Sequence, residues 1–221
     1  MKKKSGFYYR LIRATFARRT LFRFLQNEIL INESIQGKVL DLGGNNKSQY
    51  YQYLKIEKNT IVDYADLYDE SNNVINMDFT KPFPIESNKY DNVILMNVIE
   101  HLDNYEICLK EVKRILKNDG YLTGIVPFLF PIHMVPDDFH RPTESYLYEQ
   151  LYKAGFNEII ITHIGYGRWT AAANLCGQKI KIKPLALILY FSAFLLDKID
   201  SRKNKYSKEK FVFPLGYFFK A

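Results

Sequence analysis

Short apolar runs recur through the middle of the chain, and all but the last end next to an acidic, amide, glycine or proline residue. The runs lie at residues 38–42, 60–65, 73–77, 92–96, 121–126 and 157–162. Segments with helical patterns separate several of them, at residues 47–55, 105–116 and 145–154. Strands that alternate with helices in short steps predict an α/β fold, in which helices cover both faces of a parallel sheet.

The two ends of the chain differ in charge from its middle. Residues 1–27 carry eight Lys or Arg and no acid, whereas residues 179–221 carry ten basic and three acidic residues. Because the whole chain has a net charge of +7, the stretch between them is acidic. Basic extensions can contact the phosphates of nucleic acid, lipid headgroups or a phosphorylated substrate. A solvated, lysine-rich surface explains any single one of these residues equally well.

The length of 221 residues favours one α/β domain with extensions over two independent domains. We expect a basic helical extension at residues 1–33 and a main domain at 34–221, with a helical insertion at about 165–210. The longest apolar run, at 185–196, is too short to span a membrane. Arginines interrupt the apolar stretch near the N-terminus, which argues against a signal peptide. We therefore expect a cytoplasmic protein that can touch the inner face of the membrane through its basic ends.

A glycine turn closes the first strand, in the sequence VLDLGGNN at residues 39–46. Gly43 and Gly44 let backbone amides approach a ligand closely, and Asp41 can brace the loop. Taken alone, the turn fits a nucleotide-binding loop and an ordinary strand-to-helix turn equally well. A dinucleotide-binding dehydrogenase requires G-x-G-x-x-G, which this loop lacks.

Acidic residues follow the next two strands at the same predicted edge of the sheet. Asp63 or Asp66 ends the second strand, where a carboxylate suits the two hydroxyls of a ribose. Asp78 and Phe79 end the third strand, where a carboxylate can accept from an adenine amino group and a ring can stack on the base. Three acids at successive strand ends favour one shared nucleoside-like ligand.

Five segments of the chain resemble motifs of the class I S-adenosylmethionine-dependent methyltransferases, in their small-molecule branch. They are VLDLGG (39–44), MDFTKPFPI (77–85), YDNVILMNVIEHL (90–102), EVKRILKNDGYL (111–122) and GF (155–156). Their order and spacing follow the family over residues 37–164. The resemblance implies a Rossmann-like, seven-stranded sheet whose last strand, at 216–220, is antiparallel.

The resemblance also implies S-adenosylmethionine as the cofactor, lying across the strand ends. By position, Asp41, Gly43 and Gly44 would shape the methionine pocket, and Asp66 or Asp63 would hold the ribose. Asp78 and Phe79 would hold the adenine. Two further positions complete the predicted cofactor set. They are Asn97, after the fourth strand, and Asn45, where the family often has another glycine.

A segment dense in ionisable groups follows the fifth strand, PFLFPIHMVPDDFHRPT at 127–143. It resembles a pattern of a methyltransferase subgroup associated with glycan and cell-surface polysaccharide genes. An oxygen acceptor often benefits from a general base, although in-line positioning can suffice for methyl transfer. We predict His133 as the base, with Asp138 and Arg141 orienting it or the substrate. A structural ion pair between Asp138 and Arg141 that pins the loop is the alternative.

These features predict an O-methyltransferase for a sugar or a lipid- or nucleotide-linked glycan intermediate of polysaccharide biosynthesis. The basic ends suggest an RNA methyltransferase as the alternative enzyme, but the sequence shows no separate RNA-binding module. A cofactor-binding scaffold without catalysis stays open because Asn45 alters the loop. The two cysteines, Cys108 and Cys176, fit no metal-binding spacing, so we predict no metal site. The oligomeric state is left open.

Overall fold

The computed structural model describes residues 6–69, 71, 73–134, 137–203 and 213–221, with the backbone alone at 202 and 203. Residues 202–210, which hold five of the ten basic residues of the C-terminal stretch, lie almost wholly outside the described residues. The helices are α1 (Phe7–Phe16), α2 (Leu21–Leu30), α3 (Tyr105–Ile115), α4 (Glu144–Lys153), α5 (Arg168–Gly177) and α6 (Lys183–Lys203). The strands are β1 (Ser34–Ile35), β2 (Lys38–Leu42), β3 (Lys55–Ile56), β4 (Ile61–Asp66), β5 (Val74–Asn76), β6 (Tyr90–Met96), β7 (Leu116–Pro127), β8 (Ile160–Ile164) and β9 (Gly216–Lys220).

Seven strands form the main sheet, in the order β5-β4-β2-β6-β7-β9-β8. The pairs from β5 to β7 are parallel, and β9 is antiparallel to both β7 and β8. This arrangement confirms the predicted seven-stranded sheet with an antiparallel last strand. The strand order reverses between β2 and β6, and open α/β sheets bind their ligands in the crevice outside the strand ends at such a point.

Two hydrophobic cores lie on opposite faces of the sheet, because successive side chains of a strand point to opposite faces. Leu40, Val93 and Leu95 contribute to the core under α3 and α4. Val39 and Ile94 contribute to the other core, which α1, α2, α5 and α6 cover. The strand ends that carry the predicted cofactor-binding acids therefore belong to a sheet that is buried on both faces.

The N-terminal segment forms two helices that are part of the second core. The chain breaks between α1 and α2 at Arg18, which has a φ of 57°, and the Thr20 side chain caps α2 by accepting from the Arg23 amide. Leu21, Phe22 and Leu25 of α2 are buried in this core. The helix α2 thus packs against the sheet next to the strand ends.

The segment after β2 differs from the helix predicted at 47–55. It forms a single 3₁₀ turn, Gln49–Gln52, followed by the short strand β3, which pairs with β1. Tertiary hydrogen bonds explain the difference, since the hydroxyls of Tyr50 and Tyr51 both donate to the buried carboxylate of Asp41. These bonds hold the turn against the end of β2 and replace the packing that would favour a longer helix.

The insertion before β9 contains α5 and α6, which pack against each other. Asp197 of α6 accepts hydrogen bonds from the amides of Trp169 and Thr170, at 3.0 and 2.8 Å. This buried carboxylate therefore caps the first turn of α5. The amide of Phe22 donates to the side chain of Asn174, which ties α5 to α2.

Candidate functional site

A cavity of about 490 Å³ opens at the carboxyl ends of β2, β6 and β7, where the strand order reverses. We call it the crevice. The helix α2 forms one wall, and the loop after β7 forms another. The lining residues are Arg19, Phe22, Arg23, Gln26, Asn27, Gly43, Ser48, Gln49, Tyr50, Met96, Asn97, Glu100, His101, Pro127, Phe130, His133 and Arg141.

The glycine turn fits closely against its neighbours. Gly43 has a φ of 76°, and a Cβ there would lie 2.7 Å from a methyl group of Val98. At Gly44 a Cβ would lie 2.1 Å from both Asp41 Oδ2 and the Tyr50 hydroxyl oxygen. Only glycine fits either position without displacing its neighbours.

Asp41 is fully buried beneath this turn. Its Oδ2 accepts from the hydroxyls of Tyr50 and Tyr51 at 2.5 and 2.6 Å, while its Oδ1 has no hydrogen-bond partner among the described residues. Burial raises the pKa of Asp41 to about 7, although the two tyrosine hydrogen bonds act in the opposite direction. The unpartnered oxygen marks a place where a ligand group or water can donate.

Asn45 follows the glycines and does not adopt a left-handed conformation. Its amide donates to Ser48 Oγ at 3.0 Å, and its side-chain oxygen accepts from the Lys47 amide at 3.0 Å. These contacts make an Asx turn that shapes the loop locally. Asn45 also lines a second cavity, of about 740 Å³, along β4 and β5.

The structure separates the two predicted ribose acids. Asp66 ends β4, and its Oδ1 accepts from the amides of Tyr68 and Asp69. Asp63 lies in the middle of β4, where its carboxylate accepts from the Tyr90 hydroxyl at 2.8 Å and lies 3.7 Å from Lys38 Nζ. Asp66 therefore occupies the strand end, whereas Asp63 is engaged in contacts within the sheet and lines the second cavity.

Asp78 and Phe79 follow β5 but line neither of these two cavities. The side chain and amide of Thr80 donate to Asp78, and Lys81 Nζ lies 2.9 Å away. Hydrogen bonds from Thr80 and Lys81 lower the pKa of Asp78 to about 2. Phe79 is buried in the core beside Phe83, with ring centroids 6.2 Å apart. An adenine at this position would therefore meet an ionised carboxylate, while the Phe79 ring packs inward.

Glu100 is a residue of the crevice that the predicted site set lacks. Its side chain is 5% exposed, and its Oε2 has no hydrogen-bond partner among the described residues. Burial raises the pKa of Glu100 to about 8, with Arg141 and Arg23 acting in the opposite direction. The signal for it is the Glu-His-Leu sequence after β6, which by the family resemblance borders the cofactor pocket, with a role at a helix N-terminus as the alternative.

His101 contacts both Glu100 and the loop after β7. Its Nδ1 contacts the carbonyl oxygen of Asp137, and its Nε2 lies 3.9 Å from Glu100 Oε1. Because a carbonyl can only accept, a neutral His101 carries its proton on Nδ1 and leaves Nε2 as an acceptor. Asn97, with a φ of 57°, precedes this pair on the crevice wall.

The loop at 131–143 brings the three predicted catalytic residues together. Asp138 forms an ion pair with Arg141 through both carboxylate oxygens, and its Oδ2 accepts from the His133 amide at 2.8 Å. Burial raises the pKa of Asp138, but these contacts outweigh it, so the pKa lies below its ordinary value. Asp138 therefore contacts the backbone of His133 and not its ring. His133 and Arg141 line the crevice, and the His133 ring centroid is 6.0 Å from that of His101.

Two arginines of the N-terminal region face the crevice from its α2 wall. Arg19 donates to the Tyr53 hydroxyl at 2.5 Å, whereas Arg23 has no ion pair among the described residues. Burial lowers the pKa of Arg23, Arg19 lowers it further, and Glu100 opposes the shift. The crevice therefore presents at this wall a guanidinium that Glu100 influences but that forms no ion pair among the described residues.

The residues present fit the predicted cofactor. The crevice lies beside the glycine turn, where residues 43 and 44 have no room for a side chain. It also lies at the ends of β2 and β6, between which the strand order reverses. Asp41 Oδ1 and Glu100 Oε2 are buried carboxyl oxygens without a hydrogen-bond partner among the described residues, which suits a ligand that supplies hydrogen bonds or positive charge there. Within the described residues, no group of three or more His, Cys, Asp or Glu side chains is placed to hold a metal ion.

The comparisons with solved structures find the same fold in known methyltransferases. A SAM-dependent methyltransferase from Archaeoglobus fulgidus aligns with a TM-score of 0.55, at 16% identity, over 97% of this chain and 99% of that chain. One from Thermotoga maritima aligns with a TM-score of 0.54, at 14% identity, over 94% and 92%. A chain of the Haloferax volcanii complex between the Trm112 methyltransferase activator and a methyltransferase aligns with a TM-score of 0.54, at 14% identity, over 95% and 91%. At these identities the likeness shows the fold.

The comparison with protein families adds a functional match. Residues 43–123 match the family described as a methyltransferase domain, a segment that begins at the glycine turn and ends in β7. No curated protein sequence matches the chain significantly. The family match over residues 43–123 and the shared class I fold together support an S-adenosylmethionine-dependent methyltransferase.

Proposed function

We propose that the protein transfers a methyl group to a hydroxyl of a sugar or of a lipid- or nucleotide-linked glycan intermediate, in the biosynthesis of cell-surface polysaccharide. The reaction takes place in the crevice. We further propose a cytoplasmic protein that contacts the inner face of the membrane through its basic ends. No helix among the described residues is long and apolar enough to cross a bilayer.

The polar wall of the crevice is the observation that carries this proposal. Glu100 offers an unpartnered buried oxygen, and Arg23 offers a cation without an ion pair among the described residues. A sugar hydroxyl can donate to Glu100, and a phosphate attached to the sugar can pair with Arg23. An acceptor with both groups satisfies both residues, as a phosphate-linked sugar does.

Aromatic residues contribute a second feature that suits a sugar. Phe130 of the loop after β7 is half-buried and lines the crevice, and its ring packs against the buried ring of Phe22 of α2, with centroids 5.3 Å apart. Apolar ring faces pack against the C–H face of a pyranose and exclude water from the reacting atoms. The crevice thus combines a water-excluding wall with a charged wall.

When bound, S-adenosylmethionine supplies a methyl carbon that the acceptor oxygen attacks as its bond to sulfur breaks. His133 takes the proton that the acceptor hydroxyl loses. Asp138 and Arg141 hold the backbone of the loop that carries His133. The cofactor would be held by Asp41, Asp66, Asn97 and the glycine turn, and Asp78 would hold its adenine.

Methyl-label transfer tests the proposal. Labelled S-adenosylmethionine is incubated with the full chain and a panel of sugar nucleotides, lipid-linked glycans and total RNA. We expect label in a phosphate-linked sugar, in a form stable to mild base as an ether is. Arg23→Gln should raise the KM for that acceptor with a small effect on S-adenosylmethionine affinity. Label in RNA, or in none of the sugars, would contradict the proposed acceptor.

A further inference from the structure

A second basic cavity lies outside the crevice, at one end of the α1 and α6 helices. Its volume is about 570 Å³, and it lies between the α1–α2 turn and the α5–α6 turn. Four cationic residues and no acidic residue line it, namely Arg18, Arg19, Lys181 and Lys183. Arg18, Lys181 and Lys183 have no ion pair within the part of the chain that the structure describes. We call it the basic cavity.

Exposed apolar side chains also occur along both helices outside the basic cavity. On α6 they extend from residue 185 to residue 199, over a length of about 20 Å. The α6 residues are Leu185 (50% exposed), Ile188 (62%), Leu195 (60%), Leu196 (37%) and Ile199 (38%), and those of α1 are Tyr8 (58%), Tyr9 (54%), Ile12 (38%) and Phe16 (58%). A long helix with large aliphatic side chains exposed along its length is typical of an interaction surface.

The two helices pack against each other and run in opposite directions. Phe7 and Tyr8, at the start of α1, contact Phe194 and Phe191 at centroid distances of 5.5 and 5.3 Å. The end of α1 lies beside the start of α6, where the basic cavity forms. We call the exposed apolar side chains together with the basic cavity the α1–α6 surface.

The positive charge of the α1–α6 surface distinguishes among the partners that it could bind. Residues 6–20 and 178–199 contain eight Lys or Arg residues and one acid, the buried Asp197, while Arg10 is paired with Glu28 outside these ranges. A second copy of the chain would bring these like charges together, at a cost in free energy. Nucleic acid would match the charge but would leave the aliphatic side chains of α6 in water. An anionic bilayer interface matches both the cations and the apolar side chains.

We propose that the α1–α6 surface docks on a membrane that contains anionic lipid. The proposal rests on the peripheral membrane contact proposed above and identifies the surface that makes it. The apolar side chains lie at the level of the acyl chain boundary, and Lys181 and Lys183 pair with headgroup phosphates. Arg19 lines both the basic cavity and the crevice, so a docked membrane lies next to the crevice.

Vesicle cosedimentation of the full chain tests the proposal. We expect binding to vesicles of phosphatidylcholine with phosphatidylglycerol, little binding to phosphatidylcholine alone, and weaker binding as salt rises. The double variant Lys181→Glu with Lys183→Glu should bind at least about tenfold more weakly. Acidic residues before and in the first turn of α6 favour the helix, so this variant is expected to fold.

Two further variants separate charge from apolar contact. Lys58→Glu with Lys110→Glu makes the same change of charge at exposed sites away from α1 and α6, and should bind like the wild type. Leu185→Ser with Ile188→Ser keeps the charge and should still lose about tenfold in binding. Equal losses in the control and in the Lys181–Lys183 variant would reduce the effect to net charge and overturn the proposal.

The remaining outcomes also decide the question. Absence of vesicle binding by the wild type overturns the proposal, and a dimer in light scattering that Leu185→Ser with Ile188→Ser dissociates assigns the surface to a second copy instead. Tighter, salt-sensitive binding to RNA than to anionic vesicles would also overturn it. Methyl transfer to a soluble sugar nucleotide is assayed without vesicles, so failure of lipid binding is distinguishable from failure of the proposed acceptor.

Discussion

The hydroxyl of Tyr50 donates to Asp41 Oδ2 at 2.5 Å, directly against the α-carbon of Gly44. Asp41 in the first strand, Gly44 in the glycine turn and Tyr50 in the 3₁₀ turn therefore depend on one another. Asp41 needs the tyrosine donors because it is buried, and the tyrosine reaches it only because residue 44 has no side chain. This contact fixes the shape of the turn beside the crevice.

Gly44→Ala should damage both stability and cofactor binding. Its Cβ would lie 2.1 Å from two oxygen atoms, so either the turn or Tyr50 must move. We expect a loss of about 1–3 kcal/mol in the free energy of unfolding and a clear loss of S-adenosylhomocysteine affinity by calorimetry. Gly6→Ala is the matched control, because a Cβ there meets nothing within 4 Å. Wild-type behaviour of Gly44→Ala would show that the contact is not needed.

The two acids of β4 should respond differently to removal of their charge. Asp66→Asn should weaken S-adenosylhomocysteine binding by about tenfold or more, because the strand-end position suits the ribose hydroxyls. Asp63→Asn weakens contacts with Tyr90 and Lys38 and should chiefly lower the melting temperature. Calorimetric titration and thermal unfolding of both variants separate the two effects, and the reverse pattern would assign the ribose to Asp63.

The stability of the cofactor-free protein should fall as pH rises, partly because of Glu100. Its pKa is about 8 in the folded protein against an ordinary value of 4.5, so between these values the folded state holds a proton that the unfolded state has lost. Stability from this group is fully present below pH 4.5 and is lost as pH rises through 8, with a slope of at most about 1.4 kcal/mol per pH unit.

Glu100→Gln tests this directly, since Gln resembles the protonated acid in shape. Denaturant unfolding from pH 5 to 9 should show a flatter dependence for this variant than for the wild type. Asp41, with a pKa of about 7, contributes in the same direction and remains in both proteins. Identical slopes for the two proteins would mean that Glu100 is ionised in the folded state.

Loss of the proposed base should lower turnover with little effect on cofactor affinity. We expect His133→Ala to reduce kcat by about 10²-fold or more and to leave S-adenosylhomocysteine binding within a factor of about three. Asp138→Asn should act less on kcat and more on the KM for the acceptor, because it releases Arg141 and the loop backbone. Full turnover by His133→Ala would remove the base assignment and leave the cofactor site intact.

The sheet could be predicted from the sequence because its strands are apolar runs with polar ends, and the order and spacing of the motifs added the antiparallel β9. The absence of the helix expected after β2 could not be predicted, because two tyrosines there donate to a carboxylate that comes close only in the folded chain. Local propensity contains no information about such a contact.

The site was predictable in outline and not in detail. Strand ends indicated where polar residues gather, but Asp63 and Asp66 are three residues apart and only the register of β4 distinguishes mid-strand from end. The packing of Phe79 into the core was equally hidden, because an aromatic residue after a strand fits stacking and burial alike. Arg23 enters the crevice through the folding of α2 against the sheet, which no local pattern indicates.

A crystal structure with S-adenosylhomocysteine and a sugar phosphate tests whether the crevice holds the cofactor and a phosphate-linked acceptor together. We expect the adenosyl group across the ends of β2 and β4, with the sulfur in the crevice and the sugar hydroxyl between the sulfur and His133. The phosphate should lie against Arg23. Cofactor bound elsewhere, or a crevice closed by its own side chains with ligand in solution at saturating concentration, would contradict it.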